Sequence, residues 1–345
     1  MTFGSDNETG IAPEILDAMV AANIGTTQPY GEDALTRALT EKISNVFDTE
    51  VSAFLVTTGT AANALALSCL TPPYGGIYCH QLAHIMHAEC AAPEFYAAGA
   101  RLLPLPGSEG KLQETTIREV LDNRHESVHS VQTTAISLTQ ASEMGTLYQI
   151  EEIRTIAALA HAAGLSVHMD GTRFANALVT LGCSPAEMSW RCGVDVLCLG
   201  ASKNGAMAAE AVIFFNPEQA ASFAWRRKRG GHLYSKMRFV AAQFTAYLAQ
   251  DRWLDYARHA NAMARELAQS LLTLPDIELA FAVEANEVFA DMPTSLFKAA
   301  VAGGFPVHAT SLANNRKRVR LVCAFNTTHQ DISELIQVLQ GQLFG

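Results

Sequence analysis

The sequence lacks several features that would define its surroundings. No apolar run reaches the roughly 18 residues needed to cross a bilayer, and the opening "MTFGSDNETG" has neither the basic nor the apolar region of an export signal. Positive charge is also scarce, since 24 Lys and Arg stand against 34 Asp and Glu, a formal net charge of −10. This balance argues against a nucleic-acid or membrane partner.

Paired cysteine motifs are missing as well. The chain has seven cysteines, an odd number, with no CxxC pair. This usage is typical of reduced thiols, so we expect a cytoplasmic protein. Repeats and low-complexity tracts are likewise absent, and a chain that is 49% hydrophobic is expected to fold as an ordinary globular enzyme.

Strand-like and helix-like segments alternate along the chain, which predicts a mostly parallel sheet covered by helices. At 345 residues the chain exceeds the usual size of one core. We therefore predict a large domain over residues 1–250 and a small C-terminal α/β domain over 251–345. Predicted strands of the large domain cover 52–56, 75–79, 100–105, 133–139, 165–169, 194–200 and 210–215.

The predicted boundary lies inside a long helical pattern. Residues 235–272 have continuous helical character, and we expect one long helix there. Beyond it, the pattern predicts strands over 277–283, 307–308 and 319–323, and a last helix over 332–343.

Three places where predicted strands end carry candidate chemistry, because ligands bind beyond the carboxyl ends of strands in open α/β sheets. Gly59 and Thr60 begin a helix whose free N–H groups could hold a phosphate, although Thr also caps helices generally. Asp170 and Arg173 follow one strand as a functional pair or an ordinary ion pair. Lys203 follows another strand, where a desolvated lysine can react with an aldehyde but where surface lysines are also common.

The order of phosphate cradle, carboxylate and strand-end lysine resembles that of pyridoxal-phosphate enzymes with the aspartate-aminotransferase fold, also called fold type I. Several motifs in this order further resemble the low-specificity L-threonine aldolases, within the β-eliminating lyase group. The motifs are "GSDN" (4–7), "YGED" (30–33), "TGTAAN" (58–63), "AHIMHAE" (83–89), "HMDGTRFANA" (168–177), "SKNG" (202–205) and "RLVCAFNTT" (320–328).

The resemblance implies roles for the cofactor-binding residues. Lys203 should bind pyridoxal 5′-phosphate covalently, and Asp170 should pair with its ring nitrogen. Gly59 and Thr60 should hold its phosphate, and His84 should lie over its ring. The family usually has Ala where this chain has Thr172; we expect that threonine to cap a turn, while a role in tuning the ring is the alternative.

The resemblance also implies how substrate is held. Arg173, which should adjoin the cofactor as well, Arg320 and Ser5 should bind the substrate carboxylate. The base that takes the β-hydroxyl proton is left open among His84, His129 and a water molecule.

The implied reaction is cleavage of L-threonine, L-allo-threonine and related β-hydroxy-α-amino acids to glycine and an aldehyde. Alternatives are a phenylserine aldolase, β-elimination or racemisation of an amino acid, and a non-catalytic protein of the same fold. We expect a homodimer or homotetramer with shared sites. We expect no catalytic metal, although helical spacing could bring together His80, His84 and His87.

Overall fold

A seven-stranded sheet forms the centre of the protein. The computed structural model describes residues 2–125 and 127–344. The strand order is β1-β7-β6-β5-β4-β2-β3; β3, β2, β4, β5 and β6 are parallel, and β7 runs antiparallel between β6 and β1. The predicted mostly parallel sheet is therefore confirmed. The strands are β1 Ser52–Val56, β2 Gly75–His80, β3 Arg101–Leu105, β4 Gln132–Thr139, β5 Ser166–Gly171, β6 Val196–Gly200 and β7 Glu210–Phe214.

Helices cover this sheet. One of them, Gly59–Leu70, is Ala-rich and buried at every position from 61 to 68, as expected of a helix enclosed on all sides. The helices are α1 Pro13–Ala22, α2 Ala34–Val46, α3 Gly59–Leu70, α4 His84–His87, α5 Ala92–Tyr96, α6 Glu114–Asp122, α7 Ile150–Ala162, α8 Phe174–Leu181, α9 Pro217–Ala220, α10 Phe223–Arg229, α11 Arg238–Tyr247, α12 Arg252–Leu271, α13 Thr294–Ala302 and α14 His329–Phe344.

A second sheet of four antiparallel strands follows in the C-terminal part. Its order is β10-β11-β9-β8, and its strands are β8 Glu278–Leu279, β9 Glu287–Pro293, β10 His308–Ser311 and β11 Arg316–Val322. The sequence reading missed β9, a central strand, because Asp291 and Pro293 interrupt its apolar pattern. The strand predicted over 277–283 is longer than β8, which covers only two residues.

The single helix expected over residues 235–272 is wrong. The structure has α11 and α12 instead, because Gln250 and Asp251 adopt left-handed backbone angles, with φ of 55° and 56°. A left-handed residue cannot continue a right-handed α-helix. The chain therefore turns between the two helices.

Two hydrophobic cores share α12. Trp253 and Ala257 pack in the core of the first sheet, whereas Leu267 and Leu271 pack in that of the second. Phe3 from the amino-terminal segment also packs in the second core. The division at residue 250 stays a prediction, and these contacts show how closely the two parts are joined.

No helix within residues 2–125 and 127–344 is both long and apolar enough to cross a membrane.

Asn261 on α12 should be important for stability, because it links α12 to α8. Its amide donates to the Asn176 carbonyl and to Thr180 Oγ1, both at 3.0 Å, and it accepts from Asn176 Nδ2 at 2.8 Å. Asn261→Ala leaves buried polar groups unpaired and should lower the free energy of unfolding by about 2 to 4 kcal/mol in urea denaturation. Gln330→Ala, at an exposed site, should change it by less than about 0.5 kcal/mol. Equal losses in the two variants would contradict this account.

Candidate active site

A cavity of about 300 Å³ opens at the carboxyl edge of the parallel strands. Its wall includes Gly59 and Thr60, the first residues of α3. Thr58 caps this helix by accepting from Ala61 N at 3.1 Å. The N–H groups of Gly59 and Thr60 have no acceptor among the described residues, so the positive end of α3 is available to an anion.

Asp170, the next-to-last residue of β5, is a buried carboxylate that accepts three hydrogen bonds. Thr172 donates to Oδ1 from its backbone N–H at 3.0 Å and from its hydroxyl at 2.7 Å, and Asn63 Nδ2 donates to Oδ2 at 2.9 Å. Burial alone would raise the pKa of Asp170, but these hydrogen bonds and nearby histidines lower it below its ordinary value. The Thr172 hydroxyl therefore contacts this carboxylate directly, beyond the turn capping expected from sequence.

Gly171 follows because the backbone is crowded there. A Cβ at this position would lie 2.6 Å from Leu197 Cδ1 and 2.9 Å from the Cys198 carbonyl oxygen. The strand can therefore leave the sheet beside Asp170 only with glycine.

His84 is tied to Asp170 through two side chains. Its Nδ1 donates to Glu89 Oε1 at 2.8 Å, and Asn63 Nδ2 donates to that same oxygen at 3.0 Å as well as to Asp170. The hydrogen bond to Glu89 raises the pKa of His84, although burial opposes it. His84 lines the cavity and holds its own proton more tightly than a free imidazole does.

Lys203 lies in a 3₁₀ turn after β6 and also lines the cavity. Its ammonium group makes no hydrogen bond or ion pair with other described residues. The turn itself is fixed, because Asn204 Nδ2 donates to Tyr247 Oη and to the Trp253 carbonyl, both at 2.9 Å. The structure thus holds a free amine on a rigid support.

Glu210, the first residue of β7, is a buried acid on the same wall. It pairs with Gly200 of β6, three residues before Lys203. Burial raises the pKa of Glu210 to about 7, against opposing hydrogen bonds from Ser202 and the charge of Lys203. The sequence analysis did not select this residue, since a lone Glu at a strand start carries no motif.

Arg173 is engaged by two carboxylates of the chain itself. Its Nε and Nη2 donate to Asp6, both at 3.1 Å, and its Nη1 lies 3.3 Å from Glu287 Oε2. All three side chains are largely buried. Arg173 therefore joins the amino-terminal segment to β9, in addition to any contact with a ligand.

Ser5 and Arg320 lie on the second-sheet side of this ion pair. Arg320 on β11 donates from Nη2 to the Gly4 carbonyl at 3.3 Å, and its buried Nε has no hydrogen-bond partner in the described part of the chain. Ser5 caps a short 3₁₀ turn by accepting from Asn7 N at 3.1 Å. Arg320 thus has a buried donor that no described residue engages.

His129 does not join this group within one chain. It is exposed in the turn before β4, at the amino edge of the sheet, and β4 spans roughly 20 Å from that edge to the cavity. A catalytic role for His129 stays a prediction.

The histidines of the metal alternative do not share a helix face. His80 ends β2, whereas His84 and His87 begin and end α4. Within the described ranges, no three His, Cys, Asp or Glu side chains are grouped to hold a metal.

The sequence analysis did not select three residues that hydrogen-bond to the site residues, namely Asp6, Asn63 and Glu89. Each lies inside a motif quoted above, in "GSDN", "TGTAAN" or "AHIMHAE". The motifs carried the signal, but only the fold shows which neighbouring side chain each one contacts.

The fold and this arrangement of lysine, carboxylate and helix terminus define a class, the fold-type-I α/β enzymes. Comparison with known proteins leads to the same class. The family model described as "Beta-eliminating lyase" matches residues 2–295. The chain belongs to the β-eliminating lyase family, as its motifs predicted, and the family and its fold imply pyridoxal phosphate as cofactor.

Individual relatives narrow the comparison. The low specificity L-threonine aldolase of Pseudomonas aeruginosa is 41% identical over 96% of this chain and 95% of its own. A threonine aldolase structure from Leishmania major has a TM-score of 0.92 and 26% identity, covering 98% of each chain. An alanine racemase of Cochliobolus carbonum is 27% identical over 59% of this chain and 51% of its own.

The residues present fit pyridoxal phosphate. A Cβ on Gly59 would meet nothing closer than Thr172 Oγ1, at 3.8 Å, so the α3 terminus is open to a phosphate. The ionised Asp170 suits a cationic ring nitrogen, and the amine of Lys203 is free for an aldehyde. The cavity volume is at the low end of the range for small-molecule sites.

Thr172→Val should destabilise the apoprotein at pH 7 by about 1.5 to 3 kcal/mol, because it removes a hydroxyl donor from the buried Asp170 carboxylate. Because the pKa of Asp170 is lowered in the folded state, its ionisation stabilises the fold at pH values above its ordinary pKa. That stabilisation is lost as the pH falls through the folded-state pKa. The deficit should therefore shrink in acid. Urea denaturation at several pH values measures it, and Thr172→Ser, which keeps the hydroxyl, should lose far less.

Glu210→Gln should stabilise the apoprotein increasingly as pH rises from 5 to 8. The pKa of Glu210 rises from 4.5 unfolded to about 7 folded, so the wild type loses stability across that window and a neutral amide does not. The gain at pH 8 should not exceed about 3 kcal/mol. Paired denaturation curves test this against Glu218→Gln at an exposed site, and a gain independent of pH would refute it.

Proposed function

We propose that the protein uses pyridoxal 5′-phosphate to cleave β-hydroxy-α-amino acids, with L-threonine and L-allo-threonine as substrates, to glycine and an aldehyde. The observation that carries this proposal is one cavity whose wall includes Lys203, without a partner among the described residues, together with Asn63 and Thr172. These two side chains donate to the buried carboxylate of Asp170 directly behind that wall. The 41% identical aldolase supports the choice of bond to be cleaved.

The cofactor-facing residues divide the work of holding one molecule. When bound, pyridoxal phosphate supplies a ring that accepts the electron pair released at Cα. Gly59 and Thr60 would hold its phosphate with their free N–H groups, and Asp170 would keep its ring nitrogen protonated. Lys203 would bind its aldehyde carbon, and His84 would cover one ring face.

The substrate carboxylate would be bound on the second-sheet side. Arg320 offers a buried Nε without a partner among the described residues. Ser5 is close to it in space, because Arg320 Nη2 donates to the carbonyl of Gly4, the preceding residue. Arg173 has its Nε and Nη2 committed to Asp6, so its contribution to substrate binding would come from the remaining Nη1 hydrogen. Fixing the carboxylate in this way selects which bond at Cα can be broken.

Racemisation is the second candidate, because one relative is named an alanine racemase. Racemisation needs no group that takes a β-hydroxyl proton. An amino acid without a β-hydroxyl, such as alanine, can therefore be racemised but cannot be cleaved to an aldehyde. A phenylserine aldolase would share every residue named here and differ only in the aldehyde it releases.

We also propose a cytoplasmic protein that assembles as a homodimer or homotetramer. Assembly is supported by Phe95 and Trp225, large rings exposed by 78% and 74% beside a surface cavity of about 690 Å³. Exposed aromatic patches of this kind are typical of protein interfaces. Analytical ultracentrifugation distinguishes monomer, dimer and tetramer.

The first test mixes the purified protein with pyridoxal phosphate and L-threonine. Wild type should gain a visible absorption band and release acetaldehyde, and borohydride reduction followed by peptide mass analysis should place the cofactor on Lys203. Lys203→Ala should lose the covalent adduct and at least about 1,000-fold in turnover. Lys228→Ala, at a lysine outside the cavity, is the matched control for the adduct's position.

The outcomes separate the candidate functions. An adduct on Lys203 with loss of optical purity of alanine, and without aldehyde, would favour racemisation. An adduct at another lysine would overturn the assignment of Lys203.

A further inference from the structure

The loop between β4 and α7 brings Glu143 to the active site. The last residue of β4, Thr139, pairs with Asp170, and the next residue, Gln140, donates its N–H to the Asp170 carbonyl at 2.9 Å. Further on, Gly145 packs so closely on Glu287 that a Cβ there would lie 3.1 Å from the Glu287 Cβ. Glu143 therefore lies between the strand that carries Asp170 and the strand that begins at Glu287.

The loop holds Glu143 in a tight turn. Gly145 N donates to the Ser142 carbonyl and Ser142 N donates to the Thr146 carbonyl, both at 2.9 Å. The Ser142 hydroxyl accepts from Met144 N at 3.2 Å and is hydrogen-bonded to Thr146 Oγ1 at 2.7 Å. The Thr146 hydroxyl donates to the Glu109 carbonyl at 2.6 Å, which leaves the Ser142 hydroxyl to donate to Thr146 Oγ1. The backbone that carries Glu143 is thus held in a rigid turn, as the support of a reacting group requires.

The Glu143 carboxylate makes no hydrogen bond or ion pair with residues in the described ranges. Burial raises the pKa of Glu143, and the charges acting on it belong to the residues assigned above to cofactor and substrate: His84, Asp170, Arg173 and Lys203. Its field also reaches Glu287. Glu143 is half-buried, and a carboxylate that loses part of its hydration without gaining a partner is unfavourable, so its presence among these groups calls for a use.

Both histidines considered from the sequence are poorly placed to accept a proton. His84 is held protonated more strongly than a free imidazole by its hydrogen bond to Glu89. His129 is exposed at the opposite edge of the sheet. A carboxylate with raised basicity is the better acceptor near neutral pH.

We propose that Glu143 accepts the proton of the substrate β-hydroxyl during carbon–carbon cleavage, an assignment that rests on the proposed function. The O–H bond breaks and its proton passes to the Glu143 carboxylate, while the oxygen forms the C=O bond of the aldehyde. The Cα–Cβ bond breaks at the same time, and its electron pair stays with Cα. A later proton at Cα gives glycine, so the atoms of the β-hydroxy-α-amino acid are all accounted for.

Glycine provides the comparison that isolates this step. Exchange of its α-hydrogen in D₂O, followed by NMR, uses the same lysine, carboxylate and arginines but involves no β-hydroxyl. Glu143→Gln should lower kcat/KM for L-threonine cleavage at least about 100-fold, the usual range for a lost general base. The same variant should keep glycine exchange within about threefold of wild type. Glu109→Gln, whose exposed side chain is on the neighbouring turn, should leave both reactions unchanged.

Each outcome of this experiment supports or overturns the assignment of Glu143. If Glu143→Gln lowers exchange and cleavage equally, or lowers neither, Glu143 is not the proton acceptor. If that variant does not fold, Glu143→Asp replaces it, since withdrawing the carboxylate by one methylene should reduce cleavage more than tenfold with exchange preserved. A wild type that exchanges glycine but cleaves no β-hydroxy-α-amino acid overturns the proposed function together with this assignment.

Discussion

The buried ion pair of Arg173 with Asp6 and Glu287 is the interaction on which the rest of the site depends. It joins the amino-terminal segment, the start of α8 and the first residue of β9. Charges buried this deeply are stable only while all partners are present, because removal of one leaves another unpaired in a medium of low polarity. The pair therefore fixes how the second sheet, with Arg320, sits against the cavity at the first.

Around this ion pair, residues of one chemical type are given different properties by their surroundings. Asp170 receives three hydrogen bonds and stays ionised, whereas the pKa values of half-buried Glu143 and buried Glu210 are raised by loss of hydration. Glu89 is used to hold a proton on His84. Hydrogen-bond donors and burial, rather than residue identity, thus separate acids from bases at this edge of the sheet.

The sequence was a good guide to the first sheet, and four residues selected from its motifs, Gly59, Thr60, His84 and Lys203, line one cavity. Buried strands such as β6 are short apolar runs; Asp170 lies near the end of one such strand, and Gly59 and Lys203 lie three residues beyond the ends of two others. The reversal at Gln250 and Asp251 could not be predicted, because neither residue type demands a left-handed backbone. Glu143 and Glu210 were also hidden, since a carboxylate becomes unusual only when distant segments bury it.

The division of labour between the two sheets has an evolutionary consequence. Gly59 and Lys203 follow strands of the first sheet and Asp170 lies in one, while Arg320 belongs to the second sheet. A mutation in the small sheet can therefore shift Arg320 by fractions of an ångström while Gly59, Asp170 and Lys203 keep their supports. Under the proposed function, a lineage built this way can diversify its amino-acid preferences while it inherits one cofactor site.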